Sequence, residues 1–214
     1  MKEYKAYIFD LDGTLLDSMG VWTQIDADFL AKRGIAVPPD YMEAIMPLTF
    51  HETAAYTIKR FALPESIEEL MREWNDMAAY TYGHTVKLKP FAKEYLEKLR
   101  ERGARMAIAT GLSAELCTPV LRGNGIENFF ETVCRTDEAG RGKSHPDVFL
   151  LAAKKIGALP RDCLVFEDII AAVKSAKSAG MSVCAVYDKS SKNDWEQIKA
   201  AADYAIVDFH DAPI

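Results

Sequence analysis

No stretch of the 214-residue sequence approaches the roughly 20 consecutive apolar residues that a membrane-spanning helix needs. Lys and Arg form no tract and the net charge is −6, which argues against a generic binder of nucleic acid or of anionic membranes. Cysteine is scarce: Cys117, Cys134, Cys163 and Cys184 are widely spaced, no Cys-x-x-Cys pair occurs, and three lie in apolar, strand-like runs. They read as buried reduced thiols, not as disulfides, zinc ligands or a nucleophile. There is no internal repeat or low-complexity tract, and the first strand-like run begins at Ala6, which leaves no room for a signal peptide. The expectation is a soluble, cytoplasmic, globular protein, long enough for one large domain or for a core carrying a smaller insertion.

The most informative stretch is residues 4–18. Ala6, Tyr7, Ile8 and Phe9 form a short apolar run with β-formers among them, and Asp10 and Asp12 follow directly, then Gly13 and the apolar pair Leu15-Leu16. A strand that ends in two acids puts carboxylates at a sheet edge where the chain must turn, and ligands of open α/β sheets bind beyond such strand ends. The same residues also fit a strand followed by an ordinary acidic turn. A calcium loop fits poorly, because the EF-hand needs Gly at its sixth position and Glu at its twelfth, whereas Gly13 is fourth after Asp10.

Trp22, Ile25, Phe29 and Leu30 recur at helical spacing up to Gly34, with Asp17 or Ser18 as the expected cap. Ser66-Ile67-Glu68-Glu69 is a capping-box pattern leading into Leu70, Met71, Trp74 and Met77. Residues 17–84 therefore read as all-helical, entered and left through linkers near Leu16-Ser18 and Gly83-Pro90. Beyond them strands and helices alternate. Phe91, Tyr95, Leu96 and Leu99 mark a helix, Met106 to Ala109 a strand ending at Thr110-Gly111, and Thr132 to Cys134 another strand. A loop from Thr136 to Gly142 leads to Lys143; Pro146 opens a helix; Cys163 to Phe166 is a strand ending in Glu167-Asp168; strands at Val183–Tyr187 and Tyr204–Val207 complete the pattern. Such alternation predicts right-handed βαβ units and a mostly parallel sheet.

In a parallel sheet all strand ends point one way, so Asp10 with Asp12, Thr110 with Gly111, Lys143, and Glu167 with Asp168 converge. Taken alone, each is ordinary: a turn, a solvated lysine, acids at a helix start. Together they crowd up to four negative charges, and two charges about 4 Å apart repel by roughly 4 kcal/mol at an effective dielectric near 20. Oxygen ligands in a partly polar cleft suit Mg²⁺, which keeps waters for phosphate oxygens to replace. A cation, a lysine, a hydroxyl and the Gly111 amide around a carboxylate describe a phosphoryl site.

The string Asp10-Leu11-Asp12-Gly13-Thr14-Leu15-Leu16-Asp17-Ser18, with Thr110, Lys143 and Glu167-Asp168 in that order, resembles the four motifs of the haloacid dehalogenase-like phosphatases. The resemblance covers residues 1–16 and about 88–210. It implies an α/β, Rossmann-like three-layer core with a mostly parallel sheet (1–16 and 88–214) and a small all-α cap domain (17–87). It implies Asp10 as the nucleophile that forms an aspartyl-phosphate and Asp12 as general acid and base. Mg²⁺ would be held by Asp10, the backbone carbonyl of Asp12, and Asp168. Thr110, Gly111 and Lys143 would bind the phosphoryl group, and Glu167 would be a further ligand or a supporting partner. An acid at position 12 points to phosphate esters rather than to the superfamily's dehalogenases or phosphonate-cleaving members. Gly111-Leu112 after Thr110, and Ile169 and Ala172 after Asp168, depart from residues common in relatives.

The expected activity is Mg²⁺-dependent hydrolysis of a small phosphorylated metabolite, such as a sugar phosphate, with no nucleic-acid or membrane partner and a monomer or weak homo-oligomer. A phosphosugar mutase resembling β-phosphoglucomutase is the alternative within the family, although Thr14 follows Gly13 as in many of the phosphatases; a non-catalytic phosphate-ligand binder is the alternative outside it. Thr49 to Glu52 are candidate selectors of the leaving group, or an ordinary helix start. His145 reads as a loop or capping residue rather than a base.

Overall fold

A computed structural model of the chain describes residues 4–45 and 50–214. The elements in order are β1 (Ala6–Phe9), β2 (Leu16–Asp17), α1 (Val21–Ala31), α2 (Tyr41–Ile45), α3 (Phe50–Phe61), α4 (Ile67–His84), β3 (Lys87–Leu88), α5 (Ala92–Glu101), β4 (Arg105–Thr110), α6 (Ala114–Gly123), β5 (Thr132–Arg135), α7 (Thr136–Ala139), α8 (Asp147–Lys155), β6 (Cys163–Glu167), α9 (Ile170–Ser178), β7 (Ser182–Val186), α10 (Trp195–Ala201) and β8 (Tyr204–Ile206).

Side chains alternate across a strand, so an apolar run with no polar interruption must be covered on both faces. Tyr7, Phe9, Met106, Ile108, Leu164 and Phe166 pack with the buried residues of α5 and α6. Ala6, Ile8, Ala107, Ala109 and Val165 pack with those of α8, α9 and α10. The sheet between these layers has the order β5-β4-β1-β6-β7-β8, with every pairing parallel. Phe9 stacks on Phe166 with ring centroids 4.8 Å apart; burying each such ring contributes roughly 1.5–3 kcal/mol. The three-layer α/β core is the one expected, and all four cysteines are buried in it outside any disulfide. Among the described residues no helix is long and apolar enough to cross a membrane.

Helices α1 to α4 lie between β2 and β3, which pair antiparallel as a short ribbon, Leu16 opposite Leu88 and Asp17 opposite Lys87. The capping box is present at the start of α4: Ser66 Oγ accepts from the Glu69 amide (3.2 Å) and Glu69 Oε2 accepts from the Ser66 amide (2.9 Å). Phe29, Leu30, Trp74 and Tyr82 join the same apolar cluster as α6. The backbones of α4 and α6 touch, since a Cβ at Gly123 would overlap the Gly83 carbonyl oxygen.

Some local expectations are corrected. Neither Asp17 nor Ser18 caps α1, whose N-cap is Gly20 with no side-chain hydrogen bond; Asp17 belongs to the ribbon and Ser18 turns elsewhere. Phe91 leaves the buried face of α5, because the helix starts after it and its backbone is left-handed (φ 61°); the ring is 49% exposed, against His210. The stretch read as a loop before Lys143 opens with the short α7, ended by Gly140.

At the ribbon, Lys89 is buried against the end of β7. Its Nζ pairs with Asp188 Oδ2 at 2.9 Å and donates to the Tyr187 carbonyl at 2.6 Å, while its amide donates to the Leu15 carbonyl. Burial pushes the Asp188 carboxyl up, but the amide and hydroxyl of Ser190 and the Lys89 ammonium outweigh that and hold it below the ordinary aspartate value. A depressed folded-state pKa adds stability that is present above the unfolded-state value near 4 and is lost as pH falls through the folded value. We therefore expect Asp188→Asn, which strands a buried ammonium, to lower unfolding free energy by about 3 kcal/mol at pH 7 in denaturant titrations. The loss should shrink toward pH 3. A loss of the same size at pH 7 and pH 3 would mean that charge at Asp188 is not its cause.

Candidate active site

The chain leaves β1 for β4 and β5 on one side and returns to β6, β7 and β8 on the other, which opens a crevice at the carboxyl ends of the central strands. Phe9 is opposite Phe166 and the Asp10 amide donates to the Phe166 carbonyl (3.1 Å), so the next residues, Asp10 and Glu167, stand side by side. Lys143, on the loop beyond α7, reaches both: its Nζ contacts Asp10 Oδ1 and lies 2.5 Å from Glu167 Oε1. Glu167 Oε2 accepts the amides of Asp168 (2.9 Å) and Ile169 (3.2 Å). Both Glu167 oxygens are thus engaged. Thr14 Oγ1 donates to Asp168 Oδ1 at 3.0 Å and sits 3.4 Å from Asp10 Oδ2. Gly13 has φ +76°, and a Cβ there would overlap Asp168 Oδ2, so only glycine allows the approach.

Burial sets the electrostatics. It pushes the Asp10 carboxyl well above its ordinary value; Glu167 and Asp168 add to the push and Lys143 opposes it. Asp168 is raised by burial and by Glu167, up to about 7, against the Thr14 hydrogen bond and the attraction of Lys143 and Lys89. Burial alone would lower Lys143, yet Asp10 and Glu167 hold it above the ordinary lysine value, so it stays an ammonium. With all three carboxylates ionised, Lys143 would offset only one of the three charges. Oxygens of Asp10, Glu167 and Asp168 lie within 4.8 Å of one another, and Asp168 Oδ2 is buried without a hydrogen-bond partner. An oxygen-only donor set with one unsatisfied carboxylate oxygen fits a hard divalent cation such as Mg²⁺.

Asp12 stands apart from that cluster. Its Oδ1 accepts from Ser18 Oγ (2.5 Å) and from Tyr82 OH in α4 (2.9 Å). Burial, rather than a neighbouring carboxylate, is the main cause raising the Asp12 pKa; Ser18, Tyr82 and Lys143 work against it. The Tyr82 phenol is itself pushed up by burial and by Asp12, so it remains a donor. Asp12 lines a cleft of about 370 Å³ with Gly111 and Ser113 of the core and with Trp22, Phe50 and Asn75 of the helical segment. Thr110 is buried at the end of β4, where its Oγ1 accepts the Leu112 amide at 3.1 Å. Gly111 precedes α6 by a short turn and does not begin the helix.

The structure thus gathers Asp10, Lys143, Glu167 and Asp168 in one cluster and sets Asp12 and Gly111 on the adjoining cleft. His145 is exposed, 3.5 Å from Arg141 Nη1, in the loop where the sequence placed it. Of Thr49 to Glu52, Thr49 lies outside the described residues; Phe50 starts α3 and lines the cleft, while His51 and Glu52 are exposed. Ser18, Tyr82, Trp22 and Asn75 were not expected at the site. Ser18 carried a usable signal, its place in the motif. Tyr82, Trp22 and Asn75 read as helix residues and carried none.

A family model described as haloacid dehalogenase-like hydrolase matches residues 7–186. The chain is 34% identical over 188 residues to a Drosophila melanogaster protein named "Probable pseudouridine-5'-phosphatase", covering 85% of this chain and 80% of that protein. It is 31% identical over 180 residues to the bifunctional riboflavin kinase/FMN phosphatase of Arabidopsis thaliana, with 84% of this chain matched; it spans about half of that relative's length, 47%. Among solved structures, CbbY from Rhodobacter sphaeroides in complex with phosphate has the same fold, with a TM-score of 0.78, 21% identity and coverage of 97% of this chain and 96% of that one. The family match over most of the chain agrees with the strand-end acids, and the chain belongs to the haloacid dehalogenase-like hydrolases.

Proposed function

We propose that this chain, a phosphatase of that family, hydrolyses monoesters of small phosphorylated metabolites with Mg²⁺ through an aspartyl-phosphate on Asp10. The observation that carries the proposal is the buried cluster of Asp10, Glu167 and Asp168 around Lys143, with Asp168 Oδ2 unpartnered. Asp10, Asp168 and the backbone carbonyl of Asp12 would hold Mg²⁺. When bound, Mg²⁺ supplies positive charge to Asp10 and to phosphoryl oxygens, which keeps the nucleophile ionised and offsets charge in the transition state.

The residues divide the remaining work. The Asp10 carboxylate attacks phosphorus in line with the ester oxygen, and Lys143 and the Gly111 amide stabilise the phosphoryl oxygens. Thr110, whose hydroxyl is tied to the Leu112 amide, holds the turn that presents Gly111. The chemistry needs Asp12 to start protonated, and burial raises its pKa in that direction against the Ser18 and Tyr82 hydrogen bonds. With Oδ1 taken by Ser18 and Tyr82, it carries the proton on Oδ2 and delivers it to the leaving alkoxide. The carboxylate so formed takes a proton from the water that cleaves the acyl phosphate, which releases phosphate and restores Asp10. Residues 17–87 act as a cap on the core of 1–16 and 88–214, excluding bulk water, and the β2–β3 ribbon is the crossing between them.

The direct test is phosphate release from a panel of sugar, nucleotide and glycolytic phosphates, with and without Mg²⁺. Release should vanish with a chelator and return with added Mg²⁺. Metal binding has a readout apart from turnover: relief of repulsion in the acid cluster should stabilise the fold, by about 2.7 kcal/mol at Mg²⁺ a hundredfold above its Kd. An unfolding transition unmoved by millimolar Mg²⁺, together with chelator-resistant release, would remove the metal from the proposal.

A further inference from the structure

The cleft beside Asp12 has an unusual charge balance for a site that takes phosphorylated compounds. Trp22, Phe50, Leu112 and Leu116 form apolar walls, while Asn75 and Ser113 supply neutral polar groups. No lysine or arginine lines it among the described residues. Lys143, the cation at the site, is already paired with Asp10 and Glu167. A second phosphate or carboxylate on the leaving group would sit near Asp12 with no counter-charge and with its hydration lost.

The apolar walls have a specific shape. The rings of Trp22 and Phe50 meet edge to face, with centroids 5.6 Å apart, and both stay only half-buried. Trp74, whose ring centroid is 5.7 Å from that of Phe50, is by contrast buried in the apolar core. Flat half-buried rings beside a polar site are surfaces on which another ring can stack. The exposed Asn75 amide donates and accepts, which suits a neutral edge carrying both kinds of group. At about 370 Å³ the cleft is near the lower end of the roughly 300–1,000 Å³ of small-molecule pockets, room for one compact leaving group.

Resting on the phosphatase reading above, we infer that this cleft selects phosphate monoesters whose leaving group is uncharged and carries a flat unsaturated ring, as in a nucleoside 5'-phosphate, over esters that bear a second anion. The cation-free lining gives the first half of the selection and the Trp22–Phe50 wall the second.

The test compares kcat/KM, with Mg²⁺, for uridine 5'-monophosphate, glucose 6-phosphate, 3-phosphoglycerate and fructose 1,6-bisphosphate, with 4-nitrophenyl phosphate as a control for the chemistry. The uridine ester should lead both doubly anionic esters by at least about tenfold. Trp22→Ala should reduce its kcat/KM by about tenfold, within the roughly 5- to 150-fold worth of one stacked base, and shift 3-phosphoglycerate much less. Asn75→Lys, at an exposed position, should raise kcat/KM for the bisphosphate about two- to fivefold, the worth of a partly exposed ion pair. Doubly anionic esters that equal or exceed the uridine ester in the wild type overturn the inference, as does glucose 6-phosphate matching it. If neither 4-nitrophenyl phosphate nor any of the four metabolite esters is hydrolysed, the phosphatase reading fails. The selection is then decided by calorimetric binding of the same esters to Asp10→Asn, where the same order supports it and an inverted or flat order overturns it.

Discussion

Asp10→Asn should reduce phosphate release by on the order of 10⁴-fold or more, because an amide nitrogen or oxygen cannot replace the carboxylate that bonds to phosphorus. The fold should survive. The amide has the shape of the carboxyl group, Thr14 keeps its shorter bond to Asp168, and Lys143 keeps Glu167. One negative charge also leaves a cluster in which burial, Glu167 and Asp168 already work against the Asp10 anion. Without metal, the melting temperature should therefore hold or rise. Single-turnover measurements with acid quench should detect phosphorylated protein in the wild type and none in the variant. Retained turnover within a hundredfold of wild type, still dependent on Mg²⁺, would assign the nucleophile elsewhere.

Asp12→Asn should cost about 10²- to 10⁴-fold in kcat, the range for a positioned acid and base, and the size should depend on the leaving group. A sugar alkoxide needs a proton as the ester bond breaks, whereas 4-nitrophenolate leaves without one. With 4-nitrophenyl phosphate the variant should still phosphorylate Asp10 but lack the base that activates water. A burst of about one nitrophenolate per active site, followed by slow turnover, is the expected trace. With a sugar phosphate no burst should appear. Equal losses for both esters with no burst would mean that Asp12 does not shuttle the proton. Tyr82→Phe removes one of the two donors to Asp12 Oδ1 and should produce the same pattern in weaker form.

The core of the site was legible because parallel strands share a direction. Asp10, Thr110 and Glu167 each end or follow an apolar run, and once the runs are strands in one sheet their ends must meet. Lys143 was legible only through its order among the motifs, since a lysine in a loop has no periodicity to place it. The opening motif itself was read unevenly. Ser18 looked like a helix cap, because a serine ahead of an apolar helical pattern has that role in isolation; the ribbon of β2 with β3 instead turns it toward Asp12. Thr14 was noted only for its place after Gly13. Its contact with Asp168 depends on Gly13 adopting a backbone that brings the turn against β6.

By itself the sequence determined the alternating α/β core, the helical segment inside it and the acids at its strand ends, since periodicity and breakers act over a few residues and leave a local record. The tertiary structure alone decided what surrounds those acids. Packing α4 on α6 brings Tyr82 to Asp12, and the folding of α1, α3 and α4 over the core sets Trp22, Phe50 and Asn75 around one cleft. The end of β7 likewise sets Asp188 on Lys89. Each of these contacts joins residues far apart in the chain, and a side chain's type does not encode its partner. Helix packing and strand register choose the partner, and with it the charge that each group carries.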